Sequence, residues 1–234
     1  MLKVDPPADY PPEEGCYLRG NDHSPVAVVV ILRWARDETP PDIERLVRVA
    51  IEAGAALAGT LQTENVGLEK VICNVVANPN IRYLVVFGPE SPGHSVGQTI
   101  LALARNGIDD KKRIVGSEGP APYLFNIQAE FVERFRKQVT VIDCINEGSP
   151  EVMRNAVWSC YQETPVAFKG YQLFDPGAFP EPPLVGKITW RVTNPAVEPK
   201  DDEERRRADR FHALTERVRK AVEAKRAAEG GKGQ

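Results

Sequence analysis

Apolar runs alternate with amphipathic segments along most of this chain. Residues 26–32 form a continuous run of apolar, mostly β-branched side chains, which is typical of a strand covered on both faces in a parallel sheet. The next segment has apolar residues at helical spacing from Ile43 to Ile51, with Thr39 placed as its N-cap and Gly54 where it should end. The pattern therefore predicts a strand followed by a helix.

The same strand-and-helix unit recurs further along the chain. Strands are predicted at 55–61, 82–87 and 139–143, with a short one at 113–115, and helices are predicted after Thr63, from the capping-box spacing at 95–98, around 131–135 and over 150–161. Alternating strands and helices with short connections indicate parallel pairing and right-handed crossovers. We therefore expect an α/β fold with a Rossmann-like, doubly wound, mainly parallel sheet, which binds ligands at the carboxyl ends of its strands.

Both ends of the chain depart from this alternation. Residues 1–25 are rich in proline, glycine and charge and are predicted to form an irregular arm on the core, and residues 187–192 are predicted as an edge strand. Residues 200–226 carry a narrow apolar stripe among charges of both signs, which predicts a helix that is either docked on a partner or simply solvated. We expect an α/β domain over 1–195 and a charged helix with a flexible tail over 196–234.

Composition and charge exclude several functional classes. Hydrophobic residues make up 42% and charged residues 27% of the 234 residues, which are ordinary values for a globular protein. The net charge of −3 provides no basic field for nucleic acid or anionic lipid. The longest apolar run is far shorter than the roughly 20 residues of a membrane helix. The four cysteines include no C-x-x-C pair, so we expect reduced thiols in a cytoplasmic protein and no zinc cluster.

Two nucleotide-binding motifs are missing from the sequence. The turn after the first predicted strand, residues 33–38, has no glycine, so the G-x-G-x-x-G signature of dinucleotide binding is absent there. The sequence also lacks a G-x-x-x-x-G-K-[ST] phosphate loop. These absences disfavour nicotinamide enzymes and P-loop NTPases.

His94 is the histidine whose predicted position carries most chemical information. It follows the glycine- and proline-rich loop 88–93 after the third main strand, at the edge where a doubly wound sheet binds ligands. A position just outside a helix N-terminus disfavours the imidazolium form, and neutral imidazole is the form that ligates metals. A loop histidine satisfied by ordinary hydrogen bonds is the alternative. His23 and His212 are expected in a turn and in the charged tail, without a metal role.

A second loop is expected at the same sheet edge. It contains Thr63, Glu64 and Asn65, which are predicted at the start of a helix. Capping and interaction with the helix dipole explain Thr63 and Glu64 without any ligand. The alternative pairs Glu64 with the free ring nitrogen of His94, because metal-bound histidines usually donate their other N–H to a carboxylate or carbonyl.

Several sequence blocks, taken together, resemble one known family. The blocks are residues 14–20, 24–28, 57–65, 69–74, 77–83 and 88–94. In this order they are similar to the A subunit of tetrahydromethanopterin S-methyltransferase, and the resemblance extends over about residues 10–193. It implies a Rossmann-like corrinoid carrier in the methyltransferase complex of methanogenesis, with His94 as the ligand that binds cobalt from below.

The resemblance also implies a mechanism and partners. Cobalt(I) of a cobalamin-type corrinoid takes a methyl group from methyl-tetrahydromethanopterin and passes it to the thiolate of coenzyme M, and other subunits of the complex supply these substrates. The protein positions the cofactor and tunes its axial ligand. His94 is expected to bind in the methylated state and to leave on demethylation. In the family complex, on the cytoplasmic side of the membrane, that change is proposed to drive sodium translocation.

Two features depart from the family patterns. Many corrinoid proteins carry D-x-H-x-x-G, whereas Pro92 stands at the aspartate position here and only His94 and Gly97 remain. The orienting carboxylate is therefore expected elsewhere, with Glu64 as the first candidate and Glu90 as the second. Family members in the complex end in a membrane helix and this chain does not, so we expect a soluble paralogue or a shortened chain, with membership of the sodium pump in doubt.

Three functional hypotheses follow from the sequence. The first is a corrinoid-binding methyl carrier, a methyltransferase subunit that is not active alone. The second is a noncatalytic paralogue that serves as an assembly or regulatory module, and the third is an unrelated small-molecule enzyme on the same fold. For the first hypothesis, loop position assigns further residues to cofactor binding beside His94 and Glu64: Thr63, Asn65, Gly88, Pro89, Glu90 and Ser91.

Overall fold

The chain divides into two units, Met1–Thr193 and Asn194–Gln234. The computed structural model describes residues 2–33, 39–160, 167–169, 171–188 and 206. Apart from Arg206, the second unit lies outside the described residues, and so does the predicted charged helix. Most of the predicted edge strand at 187–192 also lies outside them, and its first two residues are irregular.

Strands and helices alternate through the first unit. The strands are β1 (Tyr17–Arg19), β2 (Val26–Ile31), β3 (Leu57–Leu61), β4 (Tyr83–Gly88), β5 (Thr140–Ile145), β6 (Ala167–Phe168) and β7 (Tyr171–Gln172), and the helices are α1 (Pro41–Glu52), α2 (Val66–Val76), α3 (Val96–Asn106), α4 (Ala129–Gln138) and α5 (Pro150–Ser159). The four main strands and five helices predicted from the sequence are present, with most bounds within three residues of those predicted. The first helix begins after Pro40, which has no capping side chain, so the prediction of Thr39 as N-cap was wrong.

The main sheet has five strands in the order β1-β3-β2-β4-β5. Strands β2 to β5 pair in parallel, and β1 pairs antiparallel with β3 at the edge. If the four parallel strands β2, β3, β4 and β5 are counted as 1 to 4, their order across the sheet is 2-1-3-4. The flavodoxin-like doubly wound sheet begins with the same order. The winding reverses between β2 and β4. The α/β fold and the doubly wound, mainly parallel sheet are thus confirmed.

Helices cover both faces of this sheet. Ala27, Val29 and Ile31 of β2 pack in one apolar cluster with residues of α2, α3 and α4. The alternate side chains Val26 and Val28 pack in a second cluster with residues of α1 and α5. Every residue of β2 and β4 is therefore buried, which explains why these strands are continuous apolar runs without polar alternation.

The N-terminal arm is irregular over residues 2–16 and then adds β1 to the sheet. Asn74 of α2 fixes it in place: the Asn74 side chain accepts a hydrogen bond from Glu13 N at 2.8 Å and donates one to Glu13 O at 3.0 Å. Both residues are buried. The arm is therefore tied to the helix that follows β3.

The α3–α4 connection, residues 107–128, contains no regular strand. Its bridges are isolated ones, between Ile108 and Ile114 and between Arg113 and Tyr123. The prediction of a short strand at 113–115 was therefore wrong. This connection reaches the carboxyl edge of the sheet and contributes to the site described below.

Candidate functional site

His94 lies in the loop between β4 and α3, at the carboxyl edge of the sheet. A tight turn shapes this loop, because His94 N and Ser95 N both donate hydrogen bonds to Ser91 O, at 3.2 and 3.0 Å. The side chain of His94 is 46% exposed. The ring is thus held on an ordered turn and remains accessible to a ligand.

The Glu64 carboxylate lies beside the His94 ring. Glu64 Oε2 is 3.0 Å from His94 Nδ1, and the Glu64 side chain is only 2% exposed. Its other oxygen, Oε1, accepts a hydrogen bond from Ala121 N at 3.0 Å. Because a carboxylate is an acceptor, a neutral His94 donates its Nδ1–H to Glu64 and keeps the lone pair on Nε2.

Nε2 of His94 makes no hydrogen bond with any residue in the described part of the chain. Around it, no group of three histidine, cysteine, aspartate or glutamate side chains converges to hold a metal ion, as far as the described residues go. The arrangement therefore offers a single imidazole nitrogen. One nitrogen suits a metal whose other ligands come from elsewhere.

The α3–α4 connection forms one wall of the site. A Cβ atom added to Gly119 would lie 2.8 Å from His94 O and 2.9 Å from Glu64 Cγ, so the connection packs directly on both residues. Gly119 N donates to Ser117 Oγ at 3.1 Å, and Ser117 Oγ lies 2.7 Å from Thr99 Oγ1 of α3. Sequence analysis missed Gly119 and Ala121, because an irregular connection carries no periodic signal.

Glu69 of α2 is a second buried carboxylate that holds the same connection. It accepts hydrogen bonds from Asn126 N at 2.7 Å and from Asn126 Nδ2 at 2.6 Å. Burial raises the pKa of Glu69 from 4.5 to about 7, although the hydrogen bonds from Asn126 act in the opposite direction. Glu64 and Glu69 thus attach the connection at two points, Ala121 and Asn126.

The start of α3 differs from the predicted capping box. Ser95 occupies the N-cap with φ 47° and ψ 47°, and its side chain makes no capping hydrogen bond. The Glu90 carboxylate accepts hydrogen bonds instead, from Ser91 N at 2.8 Å, Gly97 N at 3.0 Å and Gln98 N at 2.8 Å. The predicted roles of Ser95 and Gln98 as reciprocal caps were therefore wrong.

The residues predicted beside Glu64 serve the start of α2. Asn65 is the N-cap, and its Oδ1 accepts a hydrogen bond from Val66 N at 2.8 Å. Thr63 Oγ1 accepts one from Gly67 N at 3.1 Å, so it satisfies a first-turn amide without being the N-cap. Thr63 also lines a cavity of about 440 Å³ between β3 and α2, whose walls are mainly apolar.

The residues predicted around Glu90 are divided between two sides of the sheet edge. Gly88 ends β4 with φ 97°, and its carbonyl accepts a hydrogen bond from Asn146 N at 2.7 Å. Pro89 lines a cleft with Ile43 of α1 and Asn146, on the side of α1 and α5. Ser91 is buried on the other side and accepts a hydrogen bond from Val96 N at 3.4 Å. Among the predicted cofactor residues, only Glu64 is hydrogen-bonded to the ring of His94 in the described structure.

Residues 93–97 also match a hydrolase motif. Their sequence, Gly-His-Ser-Val-Gly, has the G-x-S-x-G spacing of a nucleophile elbow, and Ser95 has a positive φ. An elbow, however, places its serine directly after a strand, whereas β4 ends at Gly88, well before Ser95. In the described structure Ser95 Oγ makes no hydrogen bond with the neighbouring imidazole. The geometry does not form a Ser–His pair.

No helix in the described part of the chain has the length and the apolar composition needed to cross a membrane. The four cysteines, all of which are described, are free, with Cys16 exposed and the others buried. The site around His94 and Glu64 contains none of them. Thiol chemistry is therefore not part of this arrangement.

The sequence of this chain is similar to those of one family of known proteins. A sequence profile for the A subunit of tetrahydromethanopterin S-methyltransferase, MtrA, matches residues 3–189. Methanothermobacter thermautotrophicus has two relatives that carry the name of this subunit, as forms 1 and 2. Form 2 is 40% identical over 190 residues, covering 80% of this chain and 92% of the relative, and form 1 is 38% identical over 187 residues, covering 80% and 69%.

A further relative has a different enzyme name. A protein of Methanosarcina acetivorans, provisionally described as the A subunit of methyltransferase Mtx, is 43% identical over 149 residues, which cover 64% of this chain and 68% of the relative. The resemblance seen in the sequence blocks is confirmed by these matches. The chain belongs to the MtrA family, the A subunits of tetrahydromethanopterin S-methyltransferase.

Proposed function

We propose that this protein is a corrinoid-binding methyl carrier, one component of a methyltransferase that moves a methyl group from methyl-tetrahydromethanopterin to coenzyme M. His94 Nε2 would hold the cobalt of this corrinoid. One observation carries the proposal: a buried carboxylate holds Nδ1 of a half-exposed histidine, and Nε2 has no partner among the described residues. The family name supports the reaction class and the pterin substrate.

The donor set fits a corrinoid better than a free metal ion. A corrinoid brings most of the cobalt ligands with it, so the protein would have to provide only one nitrogen. His94 provides one, and no three metal-binding side chains converge anywhere in the described structure. When bound, the corrinoid supplies a cobalt centre that accepts a methyl group from the pterin nitrogen and gives it to a thiolate.

Glu64 and Ala121 prepare His94 for this role. Glu64 Oε2 holds the proton at Nδ1, which leaves the Nε2 lone pair available and makes the imidazole a stronger donor. The hydrogen bond from Ala121 N to Oε1 fixes the plane of the carboxylate. Because Glu64 is almost completely buried, water does not compete for the bond to Nδ1. The chain thus holds the ligand in one tautomer.

The remaining steps of the reaction belong to partner subunits. In the proposed complex, other subunits bind methyl-tetrahydromethanopterin and coenzyme M, and the isolated chain has no methyl transfer activity. Any coupling to sodium translocation rests with those subunits, and the carrier works on the cytoplasmic side. Adding partner subunits and measuring methylation of coenzyme M tests this assignment of substrates.

Reconstitution with hydroxocobalamin tests the carrier role directly. The wild-type protein should stay red after desalting and show the spectrum of a histidine-ligated corrinoid. His94→Ala should lose the histidine-ligated spectrum. His23→Ala is the matched control, because His23 is exposed and its ring contacts the exposed carboxylate of Asp5.

Two results would contradict the proposal. A histidine-ligated spectrum that persists in His94→Ala would show that His94 is not the ligand. A wild-type protein that remains colourless would favour the noncatalytic assembly or regulatory module over the carrier.

A further inference from the structure

Glu90 holds both ends of the loop that carries His94. Its carboxylate accepts one hydrogen bond from Ser91 N, before His94, and two from Gly97 N and Gln98 N, after it. We propose that Glu90 is the positioning residue of this site, which fixes the backbone of the His94 loop so that the imidazole can reach a metal. The inference rests on the proposed function and extends it to a residue that does not touch the ring.

Gly93, at the tip of the loop, has open space around it. An added Cβ at Gly93, directly before His94, would meet no atom within 4 Å. The turn is closed by the hydrogen bonds from His94 N and Ser95 N to Ser91 O. Glu64 orients the ring from outside the loop, so the position of the imidazole depends both on that contact and on how firmly the two ends of the loop are held.

Glu90 also replaces the missing cap of α3. The first amides of a helix have no partners within the helix, and a serine at the N-cap usually accepts from one of them. Ser95 does not do so, and it has the left-handed conformation that is unfavourable for a non-glycine residue. The Glu90 carboxylate accepts from two of the first three amides, and its charge favours the helix N-terminus.

The main chain of Glu90 is itself anchored to the sheet. Glu90 N donates a hydrogen bond to Asn146 Oδ1 at 3.0 Å, just after β5. Glu90 O accepts one from Arg33 Nε at 3.1 Å, just after β2. The main chain of Glu90 therefore connects the ends of two strands to the His94 loop. These contacts hold the start of the loop against the sheet.

The space for this carboxylate depends on Gly97. A Cβ atom at Gly97 would lie 2.9 Å from Glu90 Oε2, 2.7 Å from Ile31 Cδ1 and 2.8 Å from Ile145 Cδ1. The glycine three residues after His94 thus leaves room for Glu90 against the sheet. The two carboxylates have separate tasks, because Glu64 orients the ring while Glu90 holds the backbone that carries it.

Variants of Glu90 test the inference in two independent measurements. Glu90→Gln keeps the shape of the side chain but loses acceptor capacity, since its amide nitrogen cannot accept a hydrogen bond. Glu90→Ala loses all three hydrogen bonds. Glu118→Gln is the matched control, because Glu118 is exposed and its side chain has no hydrogen bond or ion pair in the described structure.

The first measurement uses the protein without cofactor. Amide hydrogen exchange at Gly97 and Gln98 should be at least about tenfold faster in Glu90→Gln and faster still in Glu90→Ala. The ¹⁵N shifts of the His94 ring should move toward those of an exposed histidine. Glu118→Gln should match the wild type.

The second measurement uses cobalamin. Glu90→Gln should bind a similar amount of corrinoid, while the ratio of histidine-ligated to unligated cobalt falls by roughly tenfold or more, as for other outer partners of metal ligands. Wild-type exchange and wild-type ligation in both Glu90 variants would overturn the inference. If His94→Ala kept the wild-type spectrum, the proposed function would fail, whereas the exchange and ¹⁵N measurements would still decide whether Glu90 holds the loop.

Discussion

Glu64 Oε2 lies 3.0 Å from His94 Nδ1, and this contact joins the loop after β3 to the loop after β4. The loops belong to strands that are not adjacent, because β2 lies between β3 and β4 in the sheet. A doubly wound sheet brings such loops together at its carboxyl edge. The topology of the sheet therefore brings the two side chains into contact. Replacing the Glu64 carboxylate by a neutral amide tests what this contact does.

Glu64→Gln should weaken axial ligation without unfolding the protein. A glutamine has one side-chain oxygen for two donors, Ala121 N–H and His94 Nδ1–H, so it holds the imidazole less firmly. We expect roughly a 10- to 100-fold loss in the equilibrium constant for histidine ligation. Titration of the cobalamin-loaded protein with free imidazole measures this constant. Glu133→Gln is the control and should have no effect, because Glu133 is exposed on α4. Equal ligation constants for the wild type and Glu64→Gln would contradict the role of Glu64.

Gly119→Ala should destabilise the site by steric conflict. The new methyl group would press on His94 O and Glu64 Cγ at 2.8 and 2.9 Å, which real Cβ atoms do not tolerate. We expect a loss of about 1–3 kcal/mol in the free energy of unfolding, measured with denaturant. Gly148→Ala is the control, because no atom lies within 4 Å of its Cβ position. Equal stabilities of the two variants would show that the connection does not pack as described.

Glu69 should make stability depend on pH. Its pKa is about 7 in the folded protein and near 4.5 when unfolded, so the folded state binds more protons between these values. The free energy of unfolding should therefore fall as the pH rises from about 4.5 to 7, by about 3 kcal/mol at most. Glu69→Gln should lack this contribution. Parallel pH profiles for wild type and variant, followed by denaturant unfolding, would contradict the raised pKa.

Asn74→Ala should release the N-terminal arm from α2. The substitution leaves the buried N–H of Glu13 without its partner, which costs about 1–3 kcal/mol, while Glu13 O keeps the hydrogen bond from the Tyr17 hydroxyl. Proteolytic cleavage within residues 2–16 should become faster than in the wild type. Lys70→Ala provides the comparison, since it removes only an exposed hydrogen bond to Glu14 O. Resistance to cleavage equal to that of the wild type would mean that other contacts hold the arm.

The fold was largely predictable because strands that are buried on both faces of a sheet have a recognisable apolar sequence. The unbroken apolar run of β2 and the helical spacing in α1 each indicate one element, and their alternation indicates parallel pairing. The position of His94 after β4 follows from the same alternation. Its contact with Glu64 was one of two alternatives, since carboxylates near a helix start usually need no further partner.

The details that escaped prediction are those in which distant residues replace local ones. Ser95 and Gln98 have the spacing of a capping box, but Glu90 accepts the hydrogen bonds from the first turn of α3. Gly119 and Ala121 complete the site from an irregular connection that has neither periodicity nor a motif. In both cases the contact depends on the packing of the whole domain, which local sequence patterns do not report.

Because Ser91 and Glu90 accept the hydrogen bonds from the first three amides of α3, the side chain of His94 takes no part in starting the helix. The side chain at position 94 can therefore be changed while the first turn of α3 keeps its hydrogen bonds. A protein engineer could replace His94 by cysteine or methionine and compare how softer donor atoms bind transition metals at one fixed place on the same framework.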